Sequence, residues 1–304
     1  MAIGNVTDVT TGDCTDLSYV DTKMYDTDGY GSVYLLDAAR PAIIESGIGT
    51  HHDRILDALD EVEISREAVE AIALTHVHLD HAGGAGFLAE ACSNARIVVH
   101  ERGAPHLVDP AGLVSGTKRA VGDLWNLYTE PMPVPEGRIE TVTDGDGIDL
   151  GDHSLEVRHA PGHASHQVLY HDPANDAVFT GDAAGVTVPE RGTIEATTPP
   201  PEFDLERNRA DLGAIREIDP GTLLYSHFGP RSDPEAALAA YEEVLTEWVE
   251  RVTAKRAEED GDDEAVIDFF AAATDLSEVW GEAMARPIAA VNVRGVLAYL
   301  DQKD

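Results

Sequence analysis

The chain of 304 residues is poor in cysteine, in lysine and in long apolar runs, and each shortage removes a class of protein. Its two cysteines, Cys14 and Cys92, form no CxxC pair. Neither a disulfide framework nor a thiolate metal site is therefore expected, and both thiols read as reduced and structural. No apolar stretch approaches the roughly 18–20 residues that cross a bilayer. Residues 1–14 are polar and lack the basic start and apolar stretch of a secretory signal, so a cytoplasmic location is expected. Basic residues number 21 against 57 acidic ones, a net charge of −36, and only four of the 21 are lysines. With no basic stripe to neutralise phosphates, nucleic acid is excluded as a partner, and anionic membranes are disfavoured likewise. A cationic partner would be one use for such charge. The acids are spread along the whole chain, which favours a surface adapted to molar salt, where the Debye length shrinks to about 3 Å.

What is present is an ordinary globular composition, 43% hydrophobic, on a chain long enough for a large core. Short apolar segments at 32–37 and 42–45 flank a turn at 39–41 and read as strands, and 51–62 has helical spacing. A strand at 71–74 is followed by a helix at 86–91, a strand at 96–100 and a helix at 104–108. Residues 113–128 form an inserted helical stretch, closed by the proline-rich 131–135. The second half repeats the style, with strands at 155–158, 167–170, 177–180 and 222–226 and helices at 202–218 and 234–256. After the acidic turn at 258–264, two or three more helices are expected. This interleaving predicts an α/β fold, two βα halves that pack their sheets face to face with helices outside. Residues 1–232 are expected to form the catalytic domain and 233–304 a helical extension packed on it.

The chemistry concentrates in His76-x-His78-x-Asp80-His81, directly after the strand at 71–74 and just before Gly83-Gly84. In an extended segment, side chains at i and i+2 point the same way, so His76 and His78 can hold one metal ion. Asp80 and His81 then face a neighbouring position. Imidazole and carboxylate together suit zinc, with iron or manganese as alternatives.

At these residues the chain resembles the metallo-β-lactamase superfamily, over nearly its whole length. Further motifs follow in the family's order: Ala160-Pro161-Gly162-His163, Phe179-Thr180-Gly181-Asp182 and Tyr225-Ser226-His227-Phe228-Gly229. The resemblance implies an αββα sandwich of two packed mixed sheets with outer helices and extra C-terminal helices. It also implies two divalent ions, most readily zinc, held by His76, His78 and His163 on one side and Asp80, His81 and His227 on the other. Asp182 would be shared between them. Ile44-Glu45-Ser46-Gly47 stands where the family usually has Asp-x-Gly, so Glu45 is a departure, read as a support to the ligands. Bridged ions ~3.5–4 Å apart ready a water for attack and clamp the developing oxyanion, and Asp80 can orient that water or pass its proton on.

Within the superfamily the chain is most similar to an archaeal group of stand-alone members, through residues 74–86, 100–110 and Ser226-His227-Phe228-Gly229. The expectation is a hydrolase of an ester, thioester or lactone acting on a small molecule, with a homodimer as one arrangement. Glyoxalase II shares the seven-ligand pattern and holds the carboxylates of glutathione with basic residues of its C-terminal helices. Here that region is acidic around 258–264, with only Arg251, Lys255 and Arg256 nearby, a departure that weakens the glutathione reading. A persulfide dioxygenase-like enzyme with a single iron and a non-catalytic binding member are the rival readings. A tRNA-processing nuclease conflicts with the charge.

Among the remaining histidines, His166 is read as shaping the site or bonding locally. His51, His52, His153 and His171 are read as exposed, and His100 and His106 as packed or supporting the ligands, with the border of the pocket as the alternative. Trp125 and Tyr128 in the insertion are candidates for a pocket wall. The stripe Tyr241, Val244, Leu245, Trp248 and Val252 is read as core or a dimer contact.

Overall fold

The computed structural model describes residues 6–303. Seven strands form the first sheet in chain order: β1 (Val6–Asp8), β2 (Leu17–Asp21), β3 (Ser32–Leu36), β4 (Ala42–Ile44), β5 (Ala71–Ala73), β6 (Arg96–His100) and β7 (Ile139–Val142). Pairing is antiparallel from β1 to β4 and parallel from β4 to β7. The helices α1 (His52–Glu61), α2 (Leu79–Ala82), α3 (Ala85–Ala91), α4 (Ala104–Val108) and α5 (Ala111–Val121) belong to this half.

The second half supplies β8 (Gly147–Asp149), β9 (Ser154–His159), β10 (Val168–Asp172), β11 (Ala177–Gly181), a separate hairpin of β12 (Val186–Val188) and β13 (Thr193–Glu195), β14 (Thr222–Tyr225) and β15 (Gly229–Arg231). Its main sheet runs β15-β14-β11-β10-β9-β8, with β11 and β14 parallel and the other pairs antiparallel. The helices α6 (Leu205–Ile218), α7 (Pro234–Glu258), α8 (Asp263–Ala273), α9 (Ser277–Trp280) and α10 (Glu282–Asp301) follow. No helix among the described residues is long and apolar enough to cross a membrane.

Three apolar layers hold the sandwich. Tyr34, Leu36 and Ile44 from the first sheet meet Val157, Tyr170 and Phe179 from the second. On the outer side of the first sheet, Val33, Leu35 and Ile43 pack on Ile55, Leu59 and Leu88 of the helices. Because both faces are covered, β3 is an unbroken apolar run after Ser32, where a half-exposed strand would alternate. β9 does alternate: Leu155 and Val157 point inward while Ser154, Glu156 and Arg158 face solvent. Behind the second sheet, Leu169, Val178 and Leu223 share a core with Leu238, Tyr241 and Leu245 of α7 and Val293 of α10. Asp204 and Asp262 start α6 and α8 by accepting the backbone N–H three residues on. The result is the expected pair of mixed sheets with outer helices, extended by helices at the C-terminus.

Candidate active site

The candidate residues leave strands at one edge of the sandwich. Thr75 and His76 follow β5, and His78 stands at the start of α2, a single turn that carries Asp80 and His81. In the second sheet β9, β11 and β14 run in one direction, and His163, Asp182 and His227 lie just past their C-terminal ends. Gly181, at φ +50°, makes the approach of the two halves: a Cβ there would stand 2.7 Å from Oγ1 of Thr75. The register of β11 against β14 also shifts between Phe179 and Gly181, turning the chain as it reaches Asp182.

All seven residues converge. His76, His78 and His163 form one group whose ligand atoms lie within 4.8 Å of one another, and Asp80, His81 and His227 form a second. Asp182 stands between them. Its Oδ2 is 3.5 Å from Nε2 of His163, and its Oδ1 is 3.4 Å from Nε2 of both His81 and His227. The Asp80 side chain keeps 25% of its surface exposed, whereas those of His81, His163 and Asp182 are buried, so Asp80 is the carboxylate open to the cavity.

The partners of these groups set their orientation. Nδ1 of His163 lies 3.3 Å from the Thr197 carbonyl and donates to it, which turns Nε2 toward the cluster. Thr197 also donates from Oγ1 to Asp182 at 3.1 Å, and Gln167 accepts the Asp182 backbone N–H at 3.2 Å. Glu45 accepts hydroxyls from Thr75 and Ser226 and stands beside Nδ1 of His81. Nε2 of His76, Nε2 of His81 and Oδ1 of Asp182 are buried without a hydrogen-bond partner among the described residues. Each such group costs about 1–3 kcal/mol when left unsatisfied. Nitrogen and oxygen atoms of this kind, converging on one place, fit a divalent cation.

Charge and burial tune the protons. Burial pushes His76 and His78 down and His163 to about 4, so these imidazoles are neutral. Burial pushes His81 down too, but Asp182, Asp80 and Glu45 outweigh it and lift the ring to about 10. Burial raises Asp182, yet His81, His163 and His227 hold it well below the usual carboxylate range. A cation entering the cluster would displace the His81 proton.

The cluster opens into a cavity of about 910 Å³. Tyr25 and Tyr128 line it and are hydrogen-bonded to each other through their hydroxyls. Burial raises both pKa values, and the charge of Asp80 adds to the rise. Two hydroxyls that share one bond keep one O–H to donate, here beside Asp80. Tyr30 stacks on His227 at 4.7 Å and meets Trp280 at 5.4 Å.

Of the remaining single-residue readings some change and others hold. His153 is buried and bonded to Asp172 at 2.9 Å, so it is not a surface residue, while His52 is half-buried against Phe87. His166 is buried, 5.6 Å from His78 between ring centres, and Nδ1 accepts the Val77 N–H. Tyr128 reaches the cavity, while Trp125 backs it by flat stacking at 5.3 Å. Val244 and Trp248 also face the cavity, unlike Tyr241, Leu245 and Val252, which are core. Tyr25, Tyr30 and Thr197 escaped the sequence reading. Gly29-Tyr30-Gly31 was the available signal, an aromatic between two flexible residues beside a strand.

Comparison with known proteins agrees with this architecture. The family model described as the metallo-beta-lactamase superfamily matches residues 26–227. The chain is 27% identical over 167 residues to the metallo-beta-lactamase fold-containing protein ST1585 of Sulfurisphaera tokodaii, which covers 54% of this chain and 62% of that protein. It is 27% identical over 242 residues to a hydroxyacylglutathione hydrolase of Erythrobacter litoralis, 76% of each chain. The acyl-coenzyme A thioesterase MBLAC2 of Homo sapiens is 24% identical over 179 residues, 54% of this chain and 62% of that one. The crystal structure of the archaeal superfamily protein ST1585 superposes with a TM-score of 0.71 at 22% identity, over 93% of this chain and 98% of the other. With the motifs, the two packed sheets and the His/Asp cluster at their shared edge, this chain belongs to the metallo-β-lactamase superfamily.

Proposed function

We propose that this protein is a hydrolase that uses two divalent cations, zinc by preference, to cleave an ester, thioester or lactone. His76, His78 and His163 would hold one cation, Asp80, His81 and His227 the other, and Asp182 would touch both. The observation that carries the reading is the division of Asp182 between the two groups, Oδ2 toward His163 and Oδ1 toward His81 and His227. When bound, the cations supply Lewis acidity, lowering the pKa of water and polarising a carbonyl. The remaining work falls to side chains. Asp80, partly exposed to the cavity, can accept a proton and return it to the leaving group. The free O–H of the Tyr25–Tyr128 pair can donate to the oxygen on which charge develops.

Similarity to a hydroxyacylglutathione hydrolase and to an acyl-coenzyme A thioesterase supports ester-type chemistry over phosphodiester cleavage. The test is metal quantification on protein purified at high salt, with a panel of thioesters, lactones and phosphodiesters. Two zinc-type ions per chain and thioester or lactone turnover are expected. One iron per chain with no hydrolysis would point to oxygenase chemistry and end this reading.

A further inference from the structure

The loops that carry His163 and Asp182 leave different strands, β9 and β11, yet both are fastened to one helix, α6. Both backbone groups of Gly162, the residue before His163, are engaged. Its carbonyl accepts the Asp204 N–H at 2.8 Å, and its N–H donates to the Asp211 carboxylate at 2.7 Å. On the other side of His163, the Ser165 N–H donates to the Glu202 carboxylate at 3.1 Å, just ahead of the helix. The Asp182 loop is held by Asn208, whose Nδ2 donates to the Ala183 carbonyl at 2.8 Å. Oδ1 of Asn208 accepts the Tyr241 hydroxyl at 3.3 Å. Asp204, Asn208 and Asp211 are spaced four and three residues apart, which puts them on one face of the helix. The His163 loop lies directly on that face: a Cβ built on Gly162 would stand 2.2 Å from Cα of Asn208. Glycine permits that approach, and a larger residue would push the loop away.

Packing alone does not call for these residues. Asparagine and aspartate are poor helix formers, and Leu212 and Ile215 already dock α6 on the apolar core behind the second sheet. Asn208 is nevertheless wholly buried and Asp211 almost so, beside Ala183 and Tyr241 of the same core. A buried amide or carboxyl is costly unless its groups are paired. Here the partners are the backbones next to two cluster residues. Thr197 joins the side chains of His163 and Asp182, and α6 joins their loops.

We propose that Asn208 is a positioning residue for the metal cluster. Through it α6 sets the separation of His163 from Asp182, and so the place of the first cation relative to the carboxylate that both cations share. Asn208 touches neither cation nor substrate and acts through the Ala183 carbonyl. The role rests on the two-cation reading above.

The experiment reads metal binding apart from turnover. Full-length protein loaded with cobalt(II) is titrated with a chelator, and the visible absorption of the bound cobalt reports the geometry of its ligands. Asn208→Leu removes both hydrogen bonds at similar volume. Asn208→Ser is the milder variant, with a side chain that stops short of Ala183, and it carries the test if the leucine variant does not fold. Leu212→Ala, an apolar loss on the same helix, is the control for packing. The Asn208 variants hold cobalt about tenfold more weakly than wild type and show a changed visible band, the effect of losing a group that orients metal ligands. Leu212→Ala lowers Tm by several degrees, while its cobalt affinity and band match wild type. Asn208 variants that behave as wild type, or a Leu212→Ala variant that loses as much affinity as they do, overturn the proposal. Wild type that takes up no cobalt ends the two-cation reading and this role together. The expected cobalt results with no cleavage of thioesters or lactones end the hydrolase reading and keep the positioning role.

Discussion

Oε1 of Glu45 lies 3.3 Å from Nδ1 of His81, although 36 residues separate them in the chain. The same oxygen accepts from Ser226 at 2.9 Å and from Thr75. Glu45 sits at φ +75°, a conformation that costs a non-glycine residue on the order of 1 kcal/mol or more. The strain aims a carboxylate at the far nitrogen of a cluster imidazole, which fixes Nδ1 as the donor and leaves Nε2 for the cation. Glu45→Gln keeps the shape and removes the charge, so metal affinity should fall by about tenfold. Competition with a chelator measures it, and an unaltered competition curve would show that Glu45 does not support His81.

Replacing Asp182 by alanine removes the one carboxylate that faces both groups. Several kcal/mol of transition-state stabilisation should go with it, about 10³-fold or more in kcat/KM. Near-normal turnover by this variant, with two ions still bound, would defeat the bridged arrangement.

The tyrosine pair gives a third expectation. Tyr25→Phe/Tyr128→Phe removes both hydroxyls while keeping the rings, and kcat should drop by about 10²-fold, the loss seen when an oxyanion donor is deleted. Metal content should stay at the wild-type level. A variant that loses metal but keeps its rate per ion would move the pair from catalysis to support of the site.

Asp211, bonded to the residue just before His163, offers a pH test. Burial raises its carboxyl to about 7, although it accepts the Gly162 N–H at 2.7 Å, which lowers it. The folded state therefore keeps a proton that the unfolded chain releases near pH 4. Stability from this group is greatest below about pH 4, falls as pH rises toward 7, and is flat above that. Asp211→Asn lacks the titration, so its Tm relative to wild type should climb between pH 4.5 and 7.5 and then level off. A Tm difference that stays constant with pH would refute the assignment.

Charge on the whole surface makes the last expectation. With 57 acids against 21 bases, self-repulsion should be relieved as salt rises from tens of millimolar to molar, and Tm should rise with it. Thermal melts across that range decide the matter, and a salt-independent Tm would remove the salt-adapted reading.

Sequence alone determined the parts of this protein that are written locally. His76-x-His78-x-Asp80-His81 carries its geometry in its spacing, and apolar runs such as 32–37 and 96–100 announce strands covered on both faces. Tertiary structure decided the rest. Three residues are too few to show a period; β4 and β5 are legible only as apolar runs, whereas β1, β8, β12, β13 and β15 lack such a run and exist because a neighbour offers its edge. His153 looked like a surface residue until Asp172, 19 residues away, met it in the interior. The hydroxyls of Tyr25 and Tyr128 come from segments 103 residues apart, and Glu45 reaches His81 from the end of another strand. Residues that hold a cation must be of a few chemical types, so their identities mark them in a sequence. Residues that orient those ligands or line a cavity need only the right position, and position is fixed by which strand ends the folded sheets bring together.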